Sequence, residues 1–284
     1  MKLLRIGPVG QEKPAVLDNS GIRRDLSSVV NDIAGNTLLP ENIEALCDLD
    51  LECLPVISES ERIGACVGNI GKFICIGLNY ADHASETGVP IPKEPVVFSK
   101  WTSAVCGPND EIVKPRDSTK LDWEVELGIV IGKPGVYIDE NHAEEHIAGY
   151  CVINDVSERK FQLEQGGQWD KGKGCDTFGP IGPWLVTKDD AGDVTDLSMW
   201  LKVNEKYYQN GNTKTMIFNP NFLVNYLSRY MSLQPGDIIS TGTPSGVGMG
   251  QKPPVFLNAG DIMELGIKNL GGQRQTVIAA REMS

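Results

Sequence analysis

Three carboxylates define the chemistry open to this sequence. Residues 122–131 read Asp-Trp-Glu-Val-Glu-Leu-Gly-Ile-Val-Ile. In a strand, side chains two apart share a face, so Glu124 and Glu126 present adjacent carboxylates while Val125 and Leu127 point the other way. Such neighbours repel unless something positive lies between them. A second apolar run, Cys151-Val152-Ile153-Asn154, ends on Asp155, where a buried acid again requires a partner. The three carboxylates form an oxygen-only set suited to Mg²⁺, Mn²⁺ or Ca²⁺ rather than zinc. The ordinary alternative is that Glu124 and Glu126 lie on the wet face of a half-exposed strand.

Two further groups stand out. His83 and Glu86 are three apart, so they share a face of a helical turn within hydrogen-bonding reach, although solvated surface pairs have the same spacing. Lys173 lies between Gly172 and Gly174. Glycines permit close approach of backbone to a ligand, and the competing reading is a surface lysine. Other patterns carry less. His142-Ala143-Glu144-Glu145-His146 fits the H-x-x-E-H form of inverted zinc proteases, but it sits in a polar stretch without a third ligand. The glycines at 246, 248 and 250 do not make G-x-G-x-x-G, and Ser245 lacks the flanking glycines of an elbow nucleophile.

The elements that must position these groups are mostly short strands. Residues 124–131, 150–154, 184–187, 201–204, 238–241 and 262–267 have strand character. Pro235-Gly236-Asp237 and Ala259-Gly260-Asp261 each form a tight turn that feeds a strand. One clear helix is expected from Asn219 as cap and Pro220 as first residue to Met231, with Phe222, Leu223, Tyr226, Leu227 and Tyr230 facing the core. A shorter helix is signalled from Pro40, with Ile43, Leu46 and Leu49 at helical spacing. Residues 1–68 read as a small N-terminal domain and 69–284 as a larger catalytic one. Thirty-one glycines and seventeen prolines without a fixed period favour an α+β, β-rich fold over a helical bundle.

Composition narrows the partners. With 40% hydrophobic and 23% charged residues over 284 positions, the chain reads as an ordinary globular protein. Its 38 acidic and 26 basic side chains give a net charge of -12, which repels nucleic acid and anionic membranes. An acid substrate must therefore meet a locally positive pocket. The first eight residues lack a secretion-signal pattern, no run approaches the roughly 18 apolar residues of a membrane span, and seven cysteines never fall as C-x-x-C. The expected location is the cytoplasm, with reduced thiols.

Five segments, in chain order, carry a family likeness. Residues 79–86 match N-Y-x-x-H-x-x-E, residues 122–128 an E-x-E metal strand, and residues 154–162 N-D-x-S-x-R-x-x-Q. Residues 171–184 contain D-T-F-x-P-x-G-P-W, and residues 240–248 match S-T-G-T-P-x-G-V-G. Together they resemble the fumarylacetoacetate hydrolase family. The resemblance implies a mixed β-roll catalytic domain, usually homodimeric, with Mg²⁺ held by Glu124, Glu126 and Asp155. It implies a lid carrying His83 and Glu86 as the dyad that activates water, the carboxylate fixing the imidazole and stabilising its charge. Lys173, Arg159 and Gln162 match positions that bind the chelated acid or its oxyanion, and Thr177 and Thr243 are expected as donors to a substrate carboxylate. Residues 1–68 match only loosely, and no role is carried onto them.

The activity implied is hydrolysis of a C–C bond in a 2,4-dioxo acid, releasing pyruvate and a second carboxylic acid. Residues 162–176 look similar to members acting on 2,4-dioxo-3-deoxy sugar acids derived from fuconate or rhamnonate. Alternatives within the family are a ureidoglycolate lyase and a 2-oxo acid decarboxylase or isomerase. From another class, a non-catalytic acid-binding module would need no His83 and Glu86.

Overall fold

The computed structural model describes residues 1–82, 86, 88 and 90–280. Its strands run from β1 (Lys2–Ile6), β2 (Lys13–Leu17) and β3 (Arg23–Asp25) through β4 (Phe73–Gly77), β5 (Val96–Lys100), β6 (Val105–Cys106), β7 (Ile112–Lys114), β8 (Leu121–Asp122) and β9 (Val125–Ile131). They continue with β10 (Ile147–Asn154), β11 (Ser157–Glu158), β12 (Gly179–Thr187), β13 (Ser198–Val203), β14 (Lys206–Asn212), β15 (Ile238–Ser240), β16 (Ile262–Ile267) and β17 (Gly271–Ala279). The large sheet has the order β3-β2-β1-β12-β10-β9-β15-β4-β5, with β6 against β12. A second sheet has the order β14-β13-β16-β17-β7, and β8 pairs with β11. Three pairs, β4 with β15, β6 with β12 and β7 with β17, are parallel among otherwise antiparallel neighbours. The expected α+β, β-rich class with mixed sheets is what the chain adopts.

Both faces of the large sheet are covered. Val125, Leu127, Ile129 and Ile131 of β9 enter one core with Tyr150 and Val152 of β10 and with Met199, Leu201, Met263 and Leu265 of the second sheet. Val130, Cys151 and Ile153 enter the other, against Leu3, Val16, Leu26, Ile33 and Leu38. This is why β9 and β10 are buried at every position. The expected 1–68 segment is not set apart from the rest, since β1 pairs with β12 through Lys2–Val186 and Leu3–Leu185 and shares that second core.

The helix Pro40–Cys47 starts at its proline as expected. The helix Pro220–Leu227 is capped by Asn219, whose side chain accepts from the Phe222 N–H, but it ends four residues before Met231. Ser228 stops it by donating its hydroxyl to the Asn225 carbonyl and accepting from the Ile138 N–H, a local competition with helical bonding. No helix of the described residues is long and apolar enough to cross a membrane.

One of the Gly-Asp turns ties the site's scaffold together. Asp237, fully buried, accepts from the backbone N–H of Lys72 at 2.9 Å and of Gln234 at 2.8 Å, and pairs with Lys72 Nζ at 2.8 Å. It thereby locks the start of β15 to β4, two strands 165 residues apart. Asp237→Ala leaves two backbone donors and a lysine without this acceptor, so it should cost about 2–4 kcal/mol of stability in urea unfolding. Asp237→Asn should cost less. A loss for the alanine variant below about 0.5 kcal/mol would show that the turn does not hold this pair.

Candidate active site

Glu124, Glu126 and Asp155 converge where β9 and β10 lie side by side. Glu126 stands opposite Ile153, and the Asp155 N–H donates to the Glu124 carbonyl at 2.9 Å, extending the ladder beyond β10. One ligand atom from each acid lies within 4.8 Å of the others, and all three are buried. The wet-face alternative therefore fails: Glu124 and Glu126 are 5% and 2% exposed.

Burial of three acids is offset by cations from three other segments. Lys173, on the short helix Asp170–Lys173, bridges Glu124 at 2.5 Å and Asp155 at 2.8 Å. Arg159, first residue of the helix Arg159–Glu164, donates to Glu124 at 2.5 Å and to Asp122 at 2.8 Å. Lys100, at the end of β5 and fully buried, reaches the other oxygen of Asp155 at 2.5 Å and the Val156 carbonyl at 3.0 Å. Burial alone would raise the Glu124 carboxyl, but Arg159 and Lys173 outweigh it and hold it at about 2.

Glu126 differs from its neighbours. Its Oε2 accepts from the Ser240 hydroxyl at 2.5 Å and from the Gly242 N–H at 2.9 Å, both neutral donors. Burial, then repulsion from Asp155 and Glu124, push it well above the usual carboxylate range. Among the described residues, Asp122, Glu124, Glu126 and Asp155 face Lys100, Arg159 and Lys173, so the acids outnumber the cations by one, and Glu126 is the acid without an ion pair. A divalent cation fits this set: three oxygen ligands, one acid more than there are cations, and a cavity in front. No other group of acids, histidines or cysteines among the described residues is arranged for a metal. His142, Glu145 and His146 fall in no such group, which counts against the H-x-x-E-H reading; His146 Nδ1 contacts the Lys133 carbonyl at 3.0 Å.

The cavity, about 290 Å³, is lined by Glu124, Glu126, Arg159, Gln162, Lys173 and Thr243 together with apolar side chains. Gln162 accepts from Arg159 at 3.1 Å. Thr243 reaches the cavity, but its hydroxyl proton goes to the Val125 carbonyl at 2.9 Å and its oxygen accepts from Gln209 at 2.8 Å, so its hydroxyl serves the scaffold rather than as the expected donor. Thr177 is not brought here. It lies in a separate cleft with Arg62 and Asp110, in a left-handed conformation (φ 68), and accepts from the Val113 N–H at 2.9 Å. The glycines beside Lys173 serve packing, not ligand approach: a Cβ at Gly172 would lie 2.4 Å from the Glu158 carbonyl oxygen, and one at Gly174 would lie 2.8 Å from the Trp101 ring.

His83 lies outside the described residues. Glu86 accepts from the Gly246 N–H at 3.0 and 3.1 Å, which fixes its carboxylate to the turn after β15. Gly246 has φ +105, and a Cβ there would sit 2.0 Å from the Tyr208 carbonyl oxygen, so only glycine fits. Asn79, just after β4, donates to the Thr241 and Phe218 carbonyls at 2.7 and 3.0 Å. Lys100, Asp122, Ser240 and Asn79 were not among the expected site residues. For Lys100 a signal existed: it shares a strand face with the half-buried Phe98.

The family pattern described as fumarylacetoacetate (FAA) hydrolase C-terminal matches residues 72–278, and the chain belongs to that family. A relative from Burkholderia multivorans, bearing only the provisional name of a hydrolase, is 61% identical over 99% of this chain and all of its own. The solved fumarylacetoacetate hydrolase of the psychrophile Exiguobacterium antarcticum is 36% identical, with a TM-score of 0.87 over 99% of this chain and all of that one. The maleylpyruvate hydrolase of Sphingobium sp. SYK-6, solved with manganese(II) and pyruvate, is 26% identical with a TM-score of 0.82 over the same shares.

Glu126 offers a direct test of the charge balance. Glu126→Gln removes the acid that has no ion pair but keeps an acceptor for Ser240 and Gly242, so the metal-free melting temperature should stay level or rise. Wild-type protein should be stabilised by Mn²⁺, by about 2.7 kcal/mol at a hundredfold excess over Kd, and the variant should lose most of that gain. An unchanged Mn²⁺ shift in the variant would remove Glu126 from the ligand set.

Proposed function

We propose that this protein is a divalent-metal-dependent hydrolase that cleaves a C–C bond in a 2,4-dioxo acid, releasing pyruvate and a second carboxylic acid. The observation that carries the reading is the buried carboxylate triad with Lys173 bridging two of its members, Glu124, Glu126 and Lys173 lining a small cavity and Asp155 lying behind it. A bound Mg²⁺ or Mn²⁺ supplies Lewis acidity and positive charge for an enolate-like leaving group.

The chain's own groups do the rest. His83, oriented by Glu86, takes a proton from water. The hydroxide so formed attacks the C4 carbonyl, the C3–C4 bond breaks, and the electron pair leaves as the pyruvate enolate, which is then protonated at C3. Lys173 has three ammonium protons and spends two on Glu124 and Asp155, leaving one for the developing oxyanion. Arg159 and Gln162 hold the carboxylate end. A homodimeric, cytoplasmic enzyme accompanies this reading. The finer expectation, a 3-deoxy sugar acid, rests on the resemblance of residues 162–176 alone, since Glu164, Gln165 and Gln168 stand exposed and outside the cavity lining.

The test is pyruvate release from 2,4-dioxo acids, scored against glyoxylate release from ureidoglycolate and against decarboxylation of oxaloacetate. EDTA should abolish pyruvate release, and Mg²⁺ or Mn²⁺ should restore it. His83→Ala should lower turnover by about 10²- to 10⁴-fold while Mn²⁺ affinity stays within a factor of a few. Wild-type hydrolysis by His83→Ala would dismiss the activated-water step, and glyoxylate in place of pyruvate would favour the lyase.

A further inference from the structure

The cavity in front of the carboxylates has two unlike halves. Its floor is polar, with Glu124, Glu126, Arg159, Lys173, Gln162 and Thr243, whereas the rest of the lining is Gly77 and the apolar side chains of Ile76, Leu78, Phe98, Leu163, Trp169 and Met249. Phe98 and Trp169 meet edge to face with ring centroids 5.3 Å apart. The indole sits directly on the backbone of β4, where a Cβ at Gly77 would lie 2.7 Å from it. Lys173 Nζ is 5.1 Å from the centre of the Phe98 ring, so the aromatic wall begins immediately beside the reacting end of a bound acid.

Among the described residues of this lining, no cation is left to meet a second polar group on the substrate. Arg159 is engaged by Asp122 and Glu124, and Lys173 by Glu124 and Asp155. Glu164, Gln165 and Gln168 turn outward. A tail ending in carboxylate would be desolvated without a counter-charge, and a polyhydroxy tail would lose hydrogen bonds to water that an aromatic wall cannot replace. A hydrocarbon tail loses nothing and buries apolar surface. At about 290 Å³ the cavity stands at the small end of small-molecule sites, which limits that tail to a short one.

Resting on the hydrolase reading above, we propose that the site selects 2,4-dioxo acids whose acyl end is a short uncharged hydrocarbon, over those ending in a carboxylate or a polyhydroxy chain. Selectivity lies in Phe98, Leu163 and Trp169, which form the wall, and not in the triad.

The experiment compares kcat/KM for pyruvate release from 2,4-dioxo acids with acetyl, propanoyl and butanoyl ends, a carboxylate-ended acyl of matching length, and a 2,4-dioxo-3-deoxy sugar acid. Each added methylene should raise kcat/KM by about fourfold, and the two polar-ended substrates should fall at least tenfold below the butanoyl one. Leu163 is 46% exposed, so Leu163→Lys should fold, and it should shift the ratio of carboxylate-ended to butanoyl substrate upward by about tenfold. Calorimetry with Mg²⁺ gives a readout without turnover: N-propyl oxamate should bind more tightly than N-(2-carboxyethyl) oxamate. Equal or better hydrolysis of a polar-ended substrate overturns this proposal and leaves the hydrolase reading standing. Absence of pyruvate from every substrate, with the oxamate order as expected, overturns the hydrolase reading and leaves the wall's preference intact.

Discussion

Three carboxylates within 4.8 Å of one another, buried in a sheet, cannot all remain ionised unaided. Two unit charges at that distance repel by about 3.5 kcal/mol at an effective dielectric near 20, and each also loses its hydration. The surrounding architecture follows from this cost. Lys100 comes from an edge strand, Arg159 from the helix after β11 and Lys173 from the next helix, and each ends on one of the acids or on Asp122 beside them. Glu126 is left with neutral donors alone among the described residues, which leaves the cluster one cation fewer than its acids and able to hold a divalent metal.

The same constraint explains the rigidity of the frame. Asp122 accepts from Arg159 and from the backbone N–H groups of Gly248 and Met249, so one acid both orients the arginine and fixes the glycine-rich turn. That turn in turn carries the Gly246 N–H that holds Glu86. Charge compensation and the placing of Glu86 are thus one connected structure.

Much of this was legible in the sequence, because strand alternation is local. Val125 and Leu127 point into the core opposite the two glutamates, as their spacing required. What alternation could not show was that the glutamates' face is covered as well. The cover comes from Lys173, 49 residues on, and from Ser240, 114 residues on. Lys100 was missed for the same reason, because its partner Asp155 is 55 residues away. Thr177 was misplaced because a motif match fixes chain position but not direction, and its left-handed backbone carries it into another cleft. The N-terminal 68 residues resembled nothing closely, yet β1 pairs with β12 by backbone hydrogen bonds that leave no side-chain signature.

The parallel pairing of β15 with β4 has a consequence for how the chain comes to be folded. Phe73 meets Ile238 in that pair, so the loop closed between them spans well over half the polypeptide. Contacts of such separation are entropically late, and folds dominated by them are slow. During synthesis the glutamates of β9 leave the ribosome long before Ser240 and Gly242 can cover them. For that interval the acidic strand is solvated and unconstrained, and the centre takes its final form only when nearly the whole chain is present.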